Sequence, residues 1–179
     1  MKLDKFLKPS KFSKEDESIY KMYNLTKDYY ADDYVLYKKY LQGNTEDFNQ
    51  HDYMNTFVLS LLQQLGFNMA EVGTYFYKDV ILKTITYLNV DNPNYGEIIA
   101  QVNNEYSSLY HDISRNEKDV GVSTFHLCIK KAINNISTEN IDANLYDEIF
   151  SRAYNMDYKA RAYVLANYAL DNQIVRKRK

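Results

Sequence analysis

Apolar positions recur at helical spacing in one segment after another along this chain. Ile19, Met22, Tyr23, Thr26, Tyr30, Tyr34, Tyr37 and Leu41 predict an N-terminal helix or helix pair with a break near Tyr30. Ser13 with Asp16 three residues on reads as its N-cap, and Gly43 closes it. Met54, Phe57, Val58, Leu61, Leu62 and Leu65 form the cleanest stripe, stopped by Gly66 in a C-cap position, and predict a helix central to the fold. Asn68 with Glu71 looks like a second cap, and Tyr77, Val80, Ile81, Thr84, Ile85 and Leu88 give the next buried face. Gly73 interrupts the start of that segment, where it allows close packing or a bend.

After a loop from Asn89 to Tyr95, the residues Ile98, Ile99, Val102, Tyr106, Leu109, Tyr110 and Ile113 read as one or two short helices. Phe125, Cys128, Ile129, Ala132, Ile133 and Ile136 then keep the spacing of a single helix face. Leu145, Ile149 and Phe150 follow, and a last helix runs through Tyr158, Ala162, Leu165, Ala166 and Ala169. The pattern is helical throughout, so the expected fold class is all-α, a multi-helix bundle. The Gly43-Asn44-Thr45 punctuation divides the chain into an N-terminal Tyr-rich helical appendage (1–43), a helical main domain (44–171) and a basic tail (172–179).

The stretch from Leu109 to Ile136 is the one that suggests chemistry. Opposite the Phe125–Ile136 stripe lie His126, Leu127, Lys130, Lys131 and Asn134, and a short helix precedes them. Two helices joined by a compact turn, with polar and basic groups outward on the second, form the arrangement of a helix-turn-helix reader of DNA. The plain alternative is a surface helix with two solvated lysines.

Composition narrows the class. With 179 residues, 45% of them hydrophobic, a real core is affordable, and 5 Gly with 2 Pro leave few turn signals, which favours long helices. The 19 Tyr against 0 Trp rise together with Asn, Lys and Ile, the mark of a coding bias rather than of an aromatic array. Net charge is −2, which argues against strong non-specific nucleic-acid binding by the whole chain. Its distribution is uneven: residues 51–115 hold 3 basic and 7 acidic side chains, whereas residues 116–179 hold 10 and 8. Four of those ten are the tail residues Arg176, Lys177, Arg178 and Lys179.

A single cysteine, Cys128, excludes an intrachain disulfide and a cysteine-cluster metal site. No apolar run matches a signal peptide or a membrane span, so the expectation is a soluble cytoplasmic protein. His51, His111 and His126 are far apart in sequence, and no glycine-rich phosphate loop or nucleophile motif occurs. Paired acids such as Asp32-Asp33 and Glu46-Asp47 read as solvated faces. A non-enzymatic role without metal or cofactor is therefore expected.

From about Asn55 to Asp171 the chain resembles the C-terminal DNA-binding effector domain of the stage zero sporulation protein A family, response regulators of low-GC Gram-positive bacteria. Four stretches carry the resemblance. Leu61-Leu62-Gln-Gln-Leu65-Gly66-Phe67 with Gly73-Thr-Tyr75-Phe-Tyr77-Lys-Asp-Val80-Ile81 is similar to the family's glycine-ended helix and the glycine-tyrosine-any-tyrosine opening of the next. Leu109-Tyr110-His-Asp112-Ile113 resembles its first reader helix, and Ser123-Thr-Phe125 through Cys128-Ile129-Lys130-Lys131-Ala132-Ile133 its recognition helix. Asn140-Ile141-Asp142 and Asn155-Met-Asp157-Tyr158-Lys-Ala160 follow in the family's order, so the match extends over more than 100 residues.

The chain departs from the family in three ways. Its turn is one residue longer and is polar at Arg115-Asn116-Glu117-Lys118 where the family buries an aromatic. His126, Leu127, Lys130 and Lys131 stand where the family shows an acid, an arginine and an arginine-histidine pair. Nothing in residues 1–54 corresponds to a phosphorylatable receiver.

What the resemblance implies is a sequence-specific reader of double-stranded DNA, a transcriptional regulator. His126, Leu127, Lys130, Lys131 and Asn134 form its groove-facing side, with Lys130, Lys131, His126 and Asn134 reaching the major groove. Ser123 and Thr124 meet phosphate, with backbone contacts also expected from Arg115, Lys118 and the tail Arg176, Lys177, Arg178 and Lys179. Half-site geometry calls for a homodimer, with the N-terminal helices as the place for it. The rival expectation is a protein-interaction module, an adaptor or inhibitor with a protein partner, that keeps the fold without binding DNA.

Overall fold

A computed structural model describes residues 14–88, 122–137, 139, 141–150 and 158–177. All its regular elements there are α-helices: α1 (Lys14–Leu41), α2 (Gln50–Gln64), α3 (Val72–Leu88), α4 (Val122–Asn134), α5 (Ala143–Phe150) and α6 (Tyr158–Lys177). The architecture is thus the all-α bundle that the periodicity predicts. The predicted short helices between residues 98 and 113, with the turn that follows them, lie outside the described residues, as does the predicted cap at Ser13. Among the described residues no helix is long and apolar enough to cross a membrane.

Local chemistry explains where the helices begin and end. α1 runs unbroken through Tyr30 and stops in a Schellman turn, in which Asn44 N donates to Lys39 O at 2.9 Å and Gly43 N to Tyr40 O at 3.1 Å. Gly43 takes the left-handed conformation this requires, at φ 76°. α2 opens with a capping box: Asp52 N donates to Asn49 Oδ1 at 2.8 Å, and Asn49 N to Asp52 Oδ2 at 3.2 Å. It ends as α1 does, with Phe67 N donating to Leu62 O at 3.0 Å, Gly66 N to Gln63 O at 3.0 Å and Gly66 at φ 90°. Asn68 makes an Asx turn, its Oδ1 accepting from Ala70 N at 2.9 Å, one turn ahead of α3. Asp142 caps α5, its Oδ1 accepting from Leu145 N at 3.1 Å.

The core differs from the sequence reading in which helix is central. α3, not α2, lies between the others and packs on α1, α2, α4 and α6. Every residue from Val72 to Lys78 is buried, so its first two turns are covered on all sides, as befits a helix without a polar face. α2 is likewise buried on more than its stripe, because Asn55, Thr56 and Leu59 are covered along with Val58, Leu61 and Leu62. α6 lays the small side chains of Ala162, Ala166 and Ala169 with Leu165 into the interior, and Tyr77 of α3 donates its hydroxyl to Tyr158 O at 2.8 Å.

α1 enters this core rather than lying beside it. Ile19, Met22, Tyr23, Tyr30 and Tyr37 are buried in the same cluster as the side chains of α2 to α6. Two of its hydroxyls find partners on other helices: Tyr37 donates to Gln63 Oε1 of α2 and Tyr30 to Asp79 Oδ2 of α3. The Gly43–Thr45 segment is therefore a turn between two packed helices, crossed by one continuous core. Leu41, the last residue of the predicted stripe, projects beyond it and is exposed.

Candidate DNA-binding face

The apolar stripe of α4 does what its spacing predicts. Phe125, Cys128, Ile129 and Ala132 are buried, with Ile133 and Ile136 packed at the margin. Burial pushes the pKa of the Cys128 thiol up to about 12, so it stays protonated near neutral pH. Gly73 sets the seat of the helix: a Cβ there would stand 2.0 Å from Cys128 O and 3.0 Å from Ala132 Cβ. The backbones of α3 and α4 thus cross in direct contact, which only glycine at position 73 permits.

The C-terminal end of α4 is tied down as well. Ser137 N donates to Gly66 O at 3.0 Å and Asp142 N to Gln64 O at 2.9 Å, so the segment after α4 is stitched to the end of α2. Asn135 Nδ2 donates to Glu71 Oε1 at 2.9 Å. Burial pushes the Glu71 carboxyl above its ordinary range, against the lowering effects of the Asn135 hydrogen bond and of Lys131. A cleft of about 410 Å³ opens beside this join, floored by Phe67 and Met69 and edged by Gln63, Asn68, Asn135 and Ser137. The edge carries amides and a hydroxyl and no charge.

The face expected to read DNA is only partly presented. Lys130 and Asn134, one turn apart, are exposed, and Lys131 beside them is half-exposed with its charge directed partly at Glu71. These three form a short polar ridge on the C-terminal half of the helix. The N-terminal half is engaged in packing. His126 is half-buried, shares a hydrogen bond between Nδ1 and the Tyr158 hydroxyl, and lies 5.4 Å from the Phe125 ring and 5.7 Å from the Tyr158 ring. Leu127 is half-buried against the core.

Thr124, expected at phosphate, is 3% exposed and faces the interior. The reason is that α1 covers α4 on one flank while α3 covers another, so the buried sector is wider than a single stripe.

Ser123 belongs to the first turn of α4, and Arg176 and Lys177 to the last turn of α6. Nothing is described of their side chains. Arg115, Lys118, Arg178 and Lys179 lie outside the described residues. Sequence reasoning missed Tyr158 as the partner of His126 and Asn135 as the partner of Glu71. A half-apolar aromatic opening α6 and an Asn at the end of α4 were the only local signals. Among the described residues no group of three or more His, Cys, Asp or Glu side chains could hold a metal ion. In comparisons with known proteins the chain matches no family model, no curated protein and no solved structure, so the likeness to the sporulation regulators rests on its own residues alone.

Proposed function

We propose that this chain is a DNA-binding protein of the helix-turn-helix type, a transcriptional regulator related to the sporulation-regulator effector domains. The observation that carries the reading is the ridge of Lys130, Lys131 and Asn134, held outward on a helix whose other faces are locked by Gly73 and the apolar stripe. Lysine supplies a point charge for phosphate or a guanine edge without the bidentate fork of arginine, and asparagine can pair with adenine. With His126 and Leu127 engaged in packing, the ridge is short. Phosphate contacts then dominate, and specificity is modest.

The test is selection from a random duplex pool at near-physiological salt, using the whole chain beside the K130A/K131A variant. Enrichment of a motif that the double variant fails to enrich is the expected result. For two to four phosphates neutralised, log affinity should fall against log salt with a slope of about −2 to −4. Weak retention of DNA that the variant shares equally would overturn the reading.

The second reading, a protein-interaction module, is favoured by one observation: the N-terminal half of α4, where a reader helix makes its base contacts, is taken up by Tyr158 and the core. Under either reading, Tyr30 and Tyr37 are already in the core, while Val35 and Leu41 of α1 are 52% and 58% exposed and open to self-association.

A further inference from the structure

Beneath α1 lies a polar cluster that the DNA reading does not use. Lys78 of α3 is 2% exposed, and its ammonium meets two carboxylates, Asp33 Oδ2 of α1 and, at 2.8 Å, Asp79 Oδ1 of α3. Asn55 of α2 donates from Nδ2 to Asp33 Oδ1 at 2.7 Å. Tyr30 of α1 donates its hydroxyl to Asp79 Oδ2 at 2.5 Å, and Lys78 Nζ sits 5.4 Å from the centre of its ring. Three helices are joined at this point. Two negative charges face one positive, and both carboxylate side chains are only 18% exposed. The surplus negative charge is held against a desolvation cost.

The partners decide which carboxylate can shed that charge. Asp33 is held by the Lys78 ammonium, a donor only, and by the Nδ2–H of Asn55, whose own Oδ1 is buried with no hydrogen-bond partner among the described residues. Asp79 differs at one oxygen. Its Oδ2 faces a phenolic hydroxyl, which accepts as well as donates. A protonated Asp79 keeps Oδ1 as the acceptor for Lys78 and donates from Oδ2 to Tyr30 Oη, so the contact with Tyr30 is kept with its direction reversed.

We propose that Asp33, Lys78 and Asp79 form a proton-loaded clasp. Asp79 Oδ2 takes up one proton, held toward Tyr30 Oη, while Asp33 keeps its contact with the Lys78 ammonium. The docking of α1 on α2 and α3 tightens when that proton is bound. This inference is independent of what α4 binds.

The electrostatics of the site run the same way. Burial pushes the Asp79 carboxyl above its usual range, Lys78 and the Tyr30 hydrogen bond act against the rise, and Asp33 adds to it. Lys78, which burial alone would lower, is held above its usual range by Asp79 and Asp33. Tyr34 and Tyr37 of α1, with Asp33, also act on Tyr75 of α3. Tyr37 is pushed up to about 12 by burial and Tyr75 higher still, so neither adds charge near neutral pH. α2 contributes Asn55, which carries none.

The sign follows from linkage. A carboxyl whose pKa is higher in the folded chain than in the unfolded one makes the native state the better proton binder between the two values. Stability therefore rises as pH falls through that window, and α1 is held less firmly above it.

The test is urea unfolding of the whole chain from pH 8 to pH 5, for the wild type, D79N, D33N and E71Q. Asparagine at 79 imitates the protonated state, its carbonyl accepting from Lys78 and its N–H donating to Tyr30 Oη. The wild-type unfolding constant should fall with pH by about tenfold for each unit separating the two pKa values. D79N should lose that part of the slope and match or exceed the wild type in stability at pH 8, whereas D33N should be weaker at every pH. Burial also raises Glu71, so E71Q removes a separate contribution of the same sign and leaves the difference between wild type and D79N intact. A D79N chain that fails to fold, is less stable than the wild type at pH 8, or differs from it by a constant amount at all pH values would overturn the clasp.

Discussion

At the scale of single residues, Gly73 shows how far one position constrains the candidate site. Helix propensity alone favours alanine over glycine inside a helix by about 1 kcal/mol. Here the new methyl would stand 2.0 Å from Cys128 O and 2.6 Å from the carbonyl carbon, both backbone atoms that no rotamer change can move aside. The crossing of α3 and α4 would have to open, and overpacking of that kind costs about 3 kcal/mol or more. The steric effect wins over propensity. G73A is expected to lower the urea midpoint and to shift the environment of the α4 ridge. A variant more stable than the wild type would mean that the two helices do not meet there.

Among the elements, the two Schellman turns separate backbone strain from steric fit. Gly43 and Gly66 both sit at positive φ, 76° and 90°, so an L side chain at either place costs about 1–2 kcal/mol in conformation alone. Around Gly43 a Cβ meets nothing within 4 Å, so G43A should lose only that amount. At Gly66 the Cβ would also come within 2.6 Å of Ser137 O and 2.9 Å of Ile136 Cγ2, in the segment that ties α4 to α2. G66A should therefore cost clearly more than G43A in thermal denaturation, and equal losses would mean that the join after α4 is loose.

Much at this scale is legible in the sequence. The stripes of α4 and α6 and the glycine stop of α2 follow from spacing, whereas at Gly73 the sequence leaves close packing and a bend open and the structure shows the close approach. The centrality of α3 does not follow from spacing, because a segment buried on all sides has no polar face to mark its period. Nor does the partial loss of the reader face. Its cause is Tyr158, 32 residues from His126, together with the flank of α1, and neither is encoded in the periodicity of α4 itself.

For the molecule as a whole, the question is whether the boundary expected at residues 43/44 separates two folding units. Five large side chains of α1, Ile19, Met22, Tyr23, Tyr30 and Tyr37, are buried in the common core. Burial of an apolar side chain is worth about 1.5–3 kcal/mol, so the five together approach the 5–15 kcal/mol net stability of an ordinary domain. Removing α1 would also strip Asp33 from Lys78 and the Tyr30 hydroxyl from Asp79, leaving Lys78 and Asp79 to pair alone. Both effects act in one direction, since the buried faces of α2 and α3 that α1 covers would meet water. Residues 44–179 alone are therefore expected to show no cooperative thermal transition and to lose the near-ultraviolet circular dichroism of fixed tyrosines. A sharp transition in that fragment would show that α2 to α6 close their core without α1 and that Asp79 suffices as the counter-ion of Lys78. The outcome also governs how the DNA reading is tested: if α1 is integral, loss of binding in a truncated chain reports unfolding, and only whole-length substitutions on the Lys130–Asn134 ridge bear on recognition.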